Sequence, residues 1–388
     1  MNIKEKIANT IFSLIDIFTK LLPLKNQIVF ESNPDFADNT FFLYQKMLES
    51  EYNKKYKMYW ILNNSKKDYE LPENVYAIRL YLGSPIEKIK AHWQIARSKY
   101  IIDCNRYIYK IHKKQKRIYL KHGLPMKSVP EYNLMIGNVD VISVPSEYWI
   151  PYCAEEHHVD PKIVKPLGFP RNDILKSVEH QSKNIIWMPT WTSRELDSEE
   201  ENARNPFIEN MPFGLPCLQT YEQIDEVNNL FKSHNAYLYI RLHPSQNTSS
   251  DCFANKSNII VCNDAFLKSQ NTTLYKFLCK TDALISDYSS IYYDYLRLDK
   301  PIALVTKYYN EYKDACGLIK YSFDEFKTRF PANFVNSYEE LLGFFNNIFE
   351  GKDPAELIRK ETMGKYMPVT YSDSSENIIN YMKENFNF

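Results

Sequence analysis

Five short polar segments in this sequence carry side chains suited to handling a phosphate group, and each follows an apolar run. Lys121-His122-Gly123-Leu124-Pro125-Met126-Lys127 offers a histidine, and neutral imidazole is the usual general base near pH 7. Gly168-Phe169-Pro170-Arg171-Asn172-Asp173 offers Arg171 as an anion ligand and Asp173 as the cap of a following helix. Met188-Pro189-Thr190-Trp191-Thr192 joins hydroxyls and turn amides to an indole able to stack on a base. In Arg241-Leu242-His243-Pro244, strand alternation puts Arg241 and His243 on one face, an arrangement fit for a phosphoryl oxygen. Ser286-Asp287-Tyr288-Ser289-Ser290 ends an apolar strand and opens a helix. Ser289 and Ser290 there offer hydroxyls and first-turn amides to an anion, and Asp294, one turn on, offers a carboxylate to ribose hydroxyls. Four of the segments also have an ordinary reading: a loop histidine, a helix cap, a core tryptophan, a serine N-cap; for Arg241 it costs more, since arginine is rarely buried without a partner.

The elements that must hold these segments alternate along the chain. Strands are expected at 27–32, 57–64, 74–80, 99–105, 116–123, 140–146 and 162–170, with a helix around 39–52. The pattern restarts at 184–191 and continues through 236–244, 258–264, 282–290 and 300–306, before helices near 337–349 and 374–386. Strands alternating with helices make parallel sheets covered on both faces, whose ligands sit beyond the carboxyl ends of the strands. The expected architecture is α/β, with two doubly wound Rossmann-like domains and a cleft between them. The boundaries read as a 1–22 amphipathic helix, a 23–175 domain, a 176–360 domain and a 361–388 helical tail.

At 388 residues the chain has room for two cores. Lys+Arg and Asp+Glu are both 48, so net charge points to no polyanion, and no nucleic-acid fold signature is present. The 7 cysteines are scattered and never form CxxC, which reads as reduced thiols in a cytoplasm. No apolar run approaches a membrane span. Residues 3–22 repeat apolar side chains at three- and four-residue spacing, as expected of a helix packed on its own domain or lying on a bilayer. Between Arg106 and Lys127 the chain is basic without any acidic residue. An anionic lipid surface or a polyphosphorylated acceptor suits Lys113, Lys114, Lys121 and Lys127.

Taken together and in order, the five segments resemble the CDP-glycerol glycerophosphotransferase family of teichoic acid and capsule synthesis, strongly from about 120 to 306. The sequence departs from the family pattern at Lys121, where an aromatic is usual, and at Met188, where alanine is common. The resemblance implies a GT-B-like fold and a transferase moving polyol-phosphate from CDP-glycerol or CDP-ribitol to a lipid-linked saccharide or polyol-phosphate acceptor, with release of CMP. By the same carry-over His122 and His243 are catalytic. Arg241, Ser289, Ser290, Arg171 and Thr190 hold the donor phosphates; Asp294, Trp191 and Asp287 face the nucleotide. No cofactor or metal is implied, and the location is cytoplasmic, peripheral on the membrane's inner face. A UDP-sugar enzyme on the same fold and a non-catalytic membrane scaffold are the alternatives.

Overall fold

The computed structural model describes residues 3–63, 69–105, 108–126, 138–190, 213–242, 250–253, 255–316, 319, 321–368 and 373–388. Two compact units divide the chain. Unit 1 comprises Met1–His122, Asn133–Asp173 and Thr370–Phe388; unit 2 comprises Gly123–Tyr132 and Ile174–Val369.

Unit 1 holds strands β1 (Lys25–Glu31), β2 (Lys57–Ile61), β3 (Val75–Ile78), β4 (Ser98–Asp103), β5 (Lys116–Tyr119), β6 (Val141–Ser143) and β7 (Val164–Lys165). They pair in the order β3-β2-β1-β4-β5-β6-β7, every pair parallel. Alternation along β1 sends Ile28 and Phe30 to one face and Val29 to the other. The first face buries Leu43, Tyr44 and Met47 of helix α1 (Asp38–Glu49), with Ile378, Ile379, Met382 and Phe386 of the C-terminal helix (Ser374–Phe386). The second face buries Ile95 of helix α2 (Pro85–Arg97), which Ser84 and Glu87 cap reciprocally. That C-terminal helix, expected as a tail, is therefore part of the first core.

The N-terminal helix (Ile3–Thr19) also belongs to unit 1. Asp16 Oδ1 lies 2.7 Å from His92 Nε2 of α2, and Phe18 stacks on Trp93 at 6.1 Å. Leu14 and Ile17 are more than half exposed, as is Phe18 beyond its contact with Trp93, and Leu21 just past the helix is 81% exposed. Among the described residues, no helix is long and apolar enough to cross a membrane.

Unit 2 holds β8 (Lys183–Trp187), β9 (Ala236–Ile240), β10 (Ile259–Val261), β11 (Ala283–Ser286), β12 (Ile302–Val305) and β13 (Asn333–Val335), in the parallel order β10-β9-β8-β11-β12-β13. In both sheets the order reverses at the first strand, between β1 and β4 and between β8 and β11. Such switch points open a crevice at the carboxyl ends of the strands. Both are lined by segments with chemistry.

Candidate active site

The unit 1 switch point assembles around the chain leaving β5. Lys121 adopts φ +52°, a left-handed conformation costly for a residue with a side chain, and the turn sets His122 apart from the strand. Three groups hold this turn. Asn39 Nδ2, fully buried at the start of α1, donates to the carbonyls of Leu120 (3.3 Å) and Lys121 (2.8 Å). Arg171 Nη1 donates to the His122 carbonyl at 2.5 Å and to Asp38 Oδ1 at 2.6 Å. The Lys121 ammonium turns inward onto Glu156, with His157 Nε2 at 3.1 Å. Asp38, like Lys121, has positive φ (59°), so two backbone exceptions flank one histidine.

His122 itself keeps an exposed face. The protein packed around the ring still lowers its pKa from the usual value, desolvation being the largest cause. Asp38 raises it, Arg171 and Lys121 lower it, and the Cys104 backbone raises it by hydrogen bonding. The net direction keeps the imidazole neutral at pH 7, the state that can accept a proton.

In unit 2 the ends of β8 and β11 are tied together. Ser286 Oγ donates to the Met188 carbonyl at 2.8 Å, and the Thr190 amide donates to Asp287 Oδ1 and Oδ2 at 2.8 and 2.9 Å. The Thr190 hydroxyl also donates to Asp287, whose Oδ1 accepts the Tyr288 amide at 2.6 Å as well. Next along, Ser289 and Ser290 are partly exposed, and Ser290 makes no side-chain cap bond to the short helix Ile291–Leu296. Their hydroxyls remain available to a ligand.

A profile described as CDP-glycerol:poly(glycerophosphate) glycerophosphotransferase matches residues 15–384. The chain belongs to this family. It is similar to the teichoic acid glycerol-phosphate transferase of Staphylococcus aureus (strain NCTC 8325 / PS 47), at 23% identity over 90% of each chain. It is also similar to the teichoic acid ribitol-phosphate polymerase TarL of that strain, at 22% identity, covering 87% of this chain. The chain spans only 60% of TarL's length, and 51% of the poly(glycerol phosphate) polymerase of Bacillus subtilis (strain 168). The structure of the wall teichoic acid polymerase TagF superposes with a TM-score of 0.73 at 16% identity, covering 100% of this chain and 95% of that one. A UDP-N-acetylglucosamine 2-epimerase superposes at 0.53 with 10% identity, covering 94% of this chain and 97% of the other. These likenesses establish the fold as GT-B-like.

Within this glycerophosphotransferase fold several residues stand elsewhere than expected. Arg171 is not an open phosphate ligand: it is 4% exposed, and its ion pair with Asp38 and its bond to His122 make it a brace in unit 1. Asp173 caps no following helix. Its carboxylate accepts the amides of Ser374 (2.8 Å) and Ser375 (2.9 Å) at the start of the C-terminal helix, because the chain after Asn172 runs on without one. Lys121 is not at the surface for an acceptor or a membrane, since the turn at φ +52° buries it against Glu156. Thr190 and Asp287 are spent on each other rather than on donor and nucleotide. Asp294 is 2% exposed and accepts the Tyr275 hydroxyl at 2.8 Å, so it presents no open carboxylate to a ribose.

Arg241 sits at the end of β9 as expected, with Nη1 on the Cys262 carbonyl (2.9 Å) and Nη2 on the exposed Asp264 (2.7 Å). Lys113 and Lys114 are exposed, whereas Lys110 and Lys116 pair with Asp140 and Arg117 is buried against Asp103. His243, Trp191 and Lys127 lie outside the described residues. Among the described residues, Cys153, Glu156 and His157 form the grouping with metal-ligand spacing, and the Lys121 ammonium, itself a cation, already lies against Glu156 and His157.

Asp38, Asn39 and Cys104 lie outside the five motif segments. The signal was there: Asp38 and Asn39 follow β1 and Cys104 follows β4, the two strands at the switch point. Asn172 beside Arg171 is buried and neither atom of its carboxamide has a protein partner, a state an ordered internal water satisfies.

Proposed function

We propose that this glycerophosphotransferase-family chain moves a polyol-phosphate group, with glycerol-phosphate as the first candidate, from a CDP-polyol to a hydroxyl of a lipid-linked or polymer acceptor in teichoic acid or capsular polymer synthesis. The observation that carries the reading is His122: an open imidazole with lowered pKa, fixed through its own carbonyl and its neighbours'.

In this reading His122 takes the proton of the acceptor hydroxyl as its oxygen attacks the β-phosphorus. The bond from that phosphorus to the oxygen bridging the α-phosphate breaks, and CMP leaves with the electron pair. Ser289 and Ser290 hydroxyls bind donor phosphate oxygens and Arg241 neutralises charge, the service that matters most in phosphoryl transfer. No metal enters the proposal, so chelation by EDTA leaves the rate intact. The exposed Leu14, Ile17, Phe18 and Leu21 support peripheral contact with an anionic membrane face.

The test is CMP release from the purified chain offered CDP-glycerol, CDP-ribitol or a UDP-sugar with a lipid-like acceptor. Acceptor-dependent CMP from one CDP-polyol is the expected result. Turnover of the UDP-sugar alone would assign the fold to sugar chemistry instead.

A further inference from the structure

The amino-terminal edge of the unit 1 sheet carries a second concavity, at the end of β1 opposite to the one where Asp38 and Asn39 begin. β1 runs seven residues from Lys25 to Glu31, so at roughly 3.3 Å per residue the two ends stand about 20 Å apart. The concavity has a volume of about 330 Å³. Lys25, Lys54, Lys55 and Lys57 line it, and no carboxylate does. Lys54 is paired with Glu51, which stands outside the lining. Among the described residues, Lys25, Lys55 and Lys57 have no carboxylate within ion-pair reach; Lys55 lies over the Tyr56 ring (5.1 Å) and Lys57 over Tyr76 (5.9 Å).

Four ammonium groups around one concavity repel one another, and an anion in it removes that repulsion. The remaining lining is of a different kind. Asn26, Asn53 and Asn74 line the concavity beside the lysines, and Asn26 is exposed. A carboxamide both donates to and accepts from a hydroxyl. Gln27 is 3% exposed and its Nε2 donates to Tyr59 Oη and Gln94 Oε1, both at 3.3 Å, so its carboxamide is held inside the protein.

Cations for phosphate and carboxamides for hydroxyls are the two requirements of a polyol phosphate. We propose that this concavity is a binding site for a glycerol-phosphate unit of the polymer, remote from His122, where a growing or acceptor chain is retained. The inference rests on the polyol-phosphate transferase reading for the identity of the ligand, but its test needs no turnover.

The experiment measures binding of a glycerol-phosphate hexamer, glycerol 3-phosphate and inorganic phosphate to the full chain by calorimetry, without a CDP donor. The triple variant Lys25→Gln/Lys55→Gln/Lys57→Gln changes only exposed side chains and should weaken hexamer binding at least tenfold with an unchanged melting temperature. Asn26→Leu should weaken glycerol 3-phosphate severalfold while inorganic phosphate is bound as before. Hexamer binding that survives the triple variant overturns the proposal. Equal losses for glycerol 3-phosphate and inorganic phosphate in Asn26→Leu also overturn it, since no hydroxyl is then recognised. A parallel arm with phosphatidylglycerol vesicles separates the sources of phosphate: loss of vesicle binding with hexamer binding retained assigns the lysines to a lipid surface and overturns the polymer site. A chain that binds the hexamer here yet releases no CMP defeats the transferase reading alone.

Discussion

Arg171 Nη1 stands 2.5 Å from the carbonyl oxygen of His122, with Asp38 Oδ1 at 2.6 Å on the same nitrogen. The guanidinium thus joins the start of α1 to the turn that presents the histidine. Removing one partner of a buried ion pair strands the other, which costs about 3–5 kcal/mol. Arg171→Ala should therefore lower the denaturation midpoint markedly and depress turnover. Arg171→Lys, which keeps the charge but reaches one partner at a time, should recover most of the stability and less of the turnover. Equal recovery of both would mean the arginine does nothing for His122 beyond holding the fold.

His122 as base makes a kinetic prediction. His122→Ala should reduce turnover by about 10²–10⁴-fold with donor affinity largely kept. Turnover near that of the unaltered chain would remove the histidine from the reaction.

The pH dependence has a definite sign. The folded-state pKa of His122 is lowered below 6.5, so the base is neutral above that lowered value and activity is lost only as pH falls through it. The acidic limb of the rate profile should lie below 6.5. Charged or titratable groups facing the ring are Asp38 from α1, Arg171, Lys121 and Cys104 after β4. Asp38 is the one that raises the value directly, so Asp38→Asn should move the limb further down. A limb that moves up, or stays, would contradict the assignment.

The Thr190–Asp287 tie predicts a donor-side effect. Asp287→Ala leaves the Thr190 and Tyr288 amides without their acceptor and should cost about 1–3 kcal/mol of stability. With the β8 and β11 ends loosened, KM for the CDP-polyol should rise more than kcat falls. A selective fall in kcat would instead put Asp287 among the reacting groups.

Much of this was readable beforehand. The strand positions were, because apolar runs end where polar turns begin; each expected strand is present and most stop two to four residues early, as at β5, which ends at Tyr119. β13 was missed because Asn333–Val335 is three residues long and sits between proline and asparagine. Side-chain roles were less legible. Arg171, Lys121 and Asp287 have types suited to ligands, but their partners Asp38, Glu156 and Thr190 lie 133, 35 and 97 positions away. Local sequence does not reveal a charge that folding will neutralise. Lys113 and Lys114, with no such partner among the described residues, are at the surface as their type suggests.

Asp173 holding the first amides of the helix Ser374–Phe386 sets an order of events during synthesis. The ribosome delivers all of unit 2 before it delivers the helix that covers Leu43, Trp60 and Tyr100. The earlier-made half of the protein must therefore wait, with part of its apolar face uncovered, while the later-made half can close first. A nascent chain halted before residue 374 would carry His122 on an unfinished core, and is the form on which a chaperone should be found.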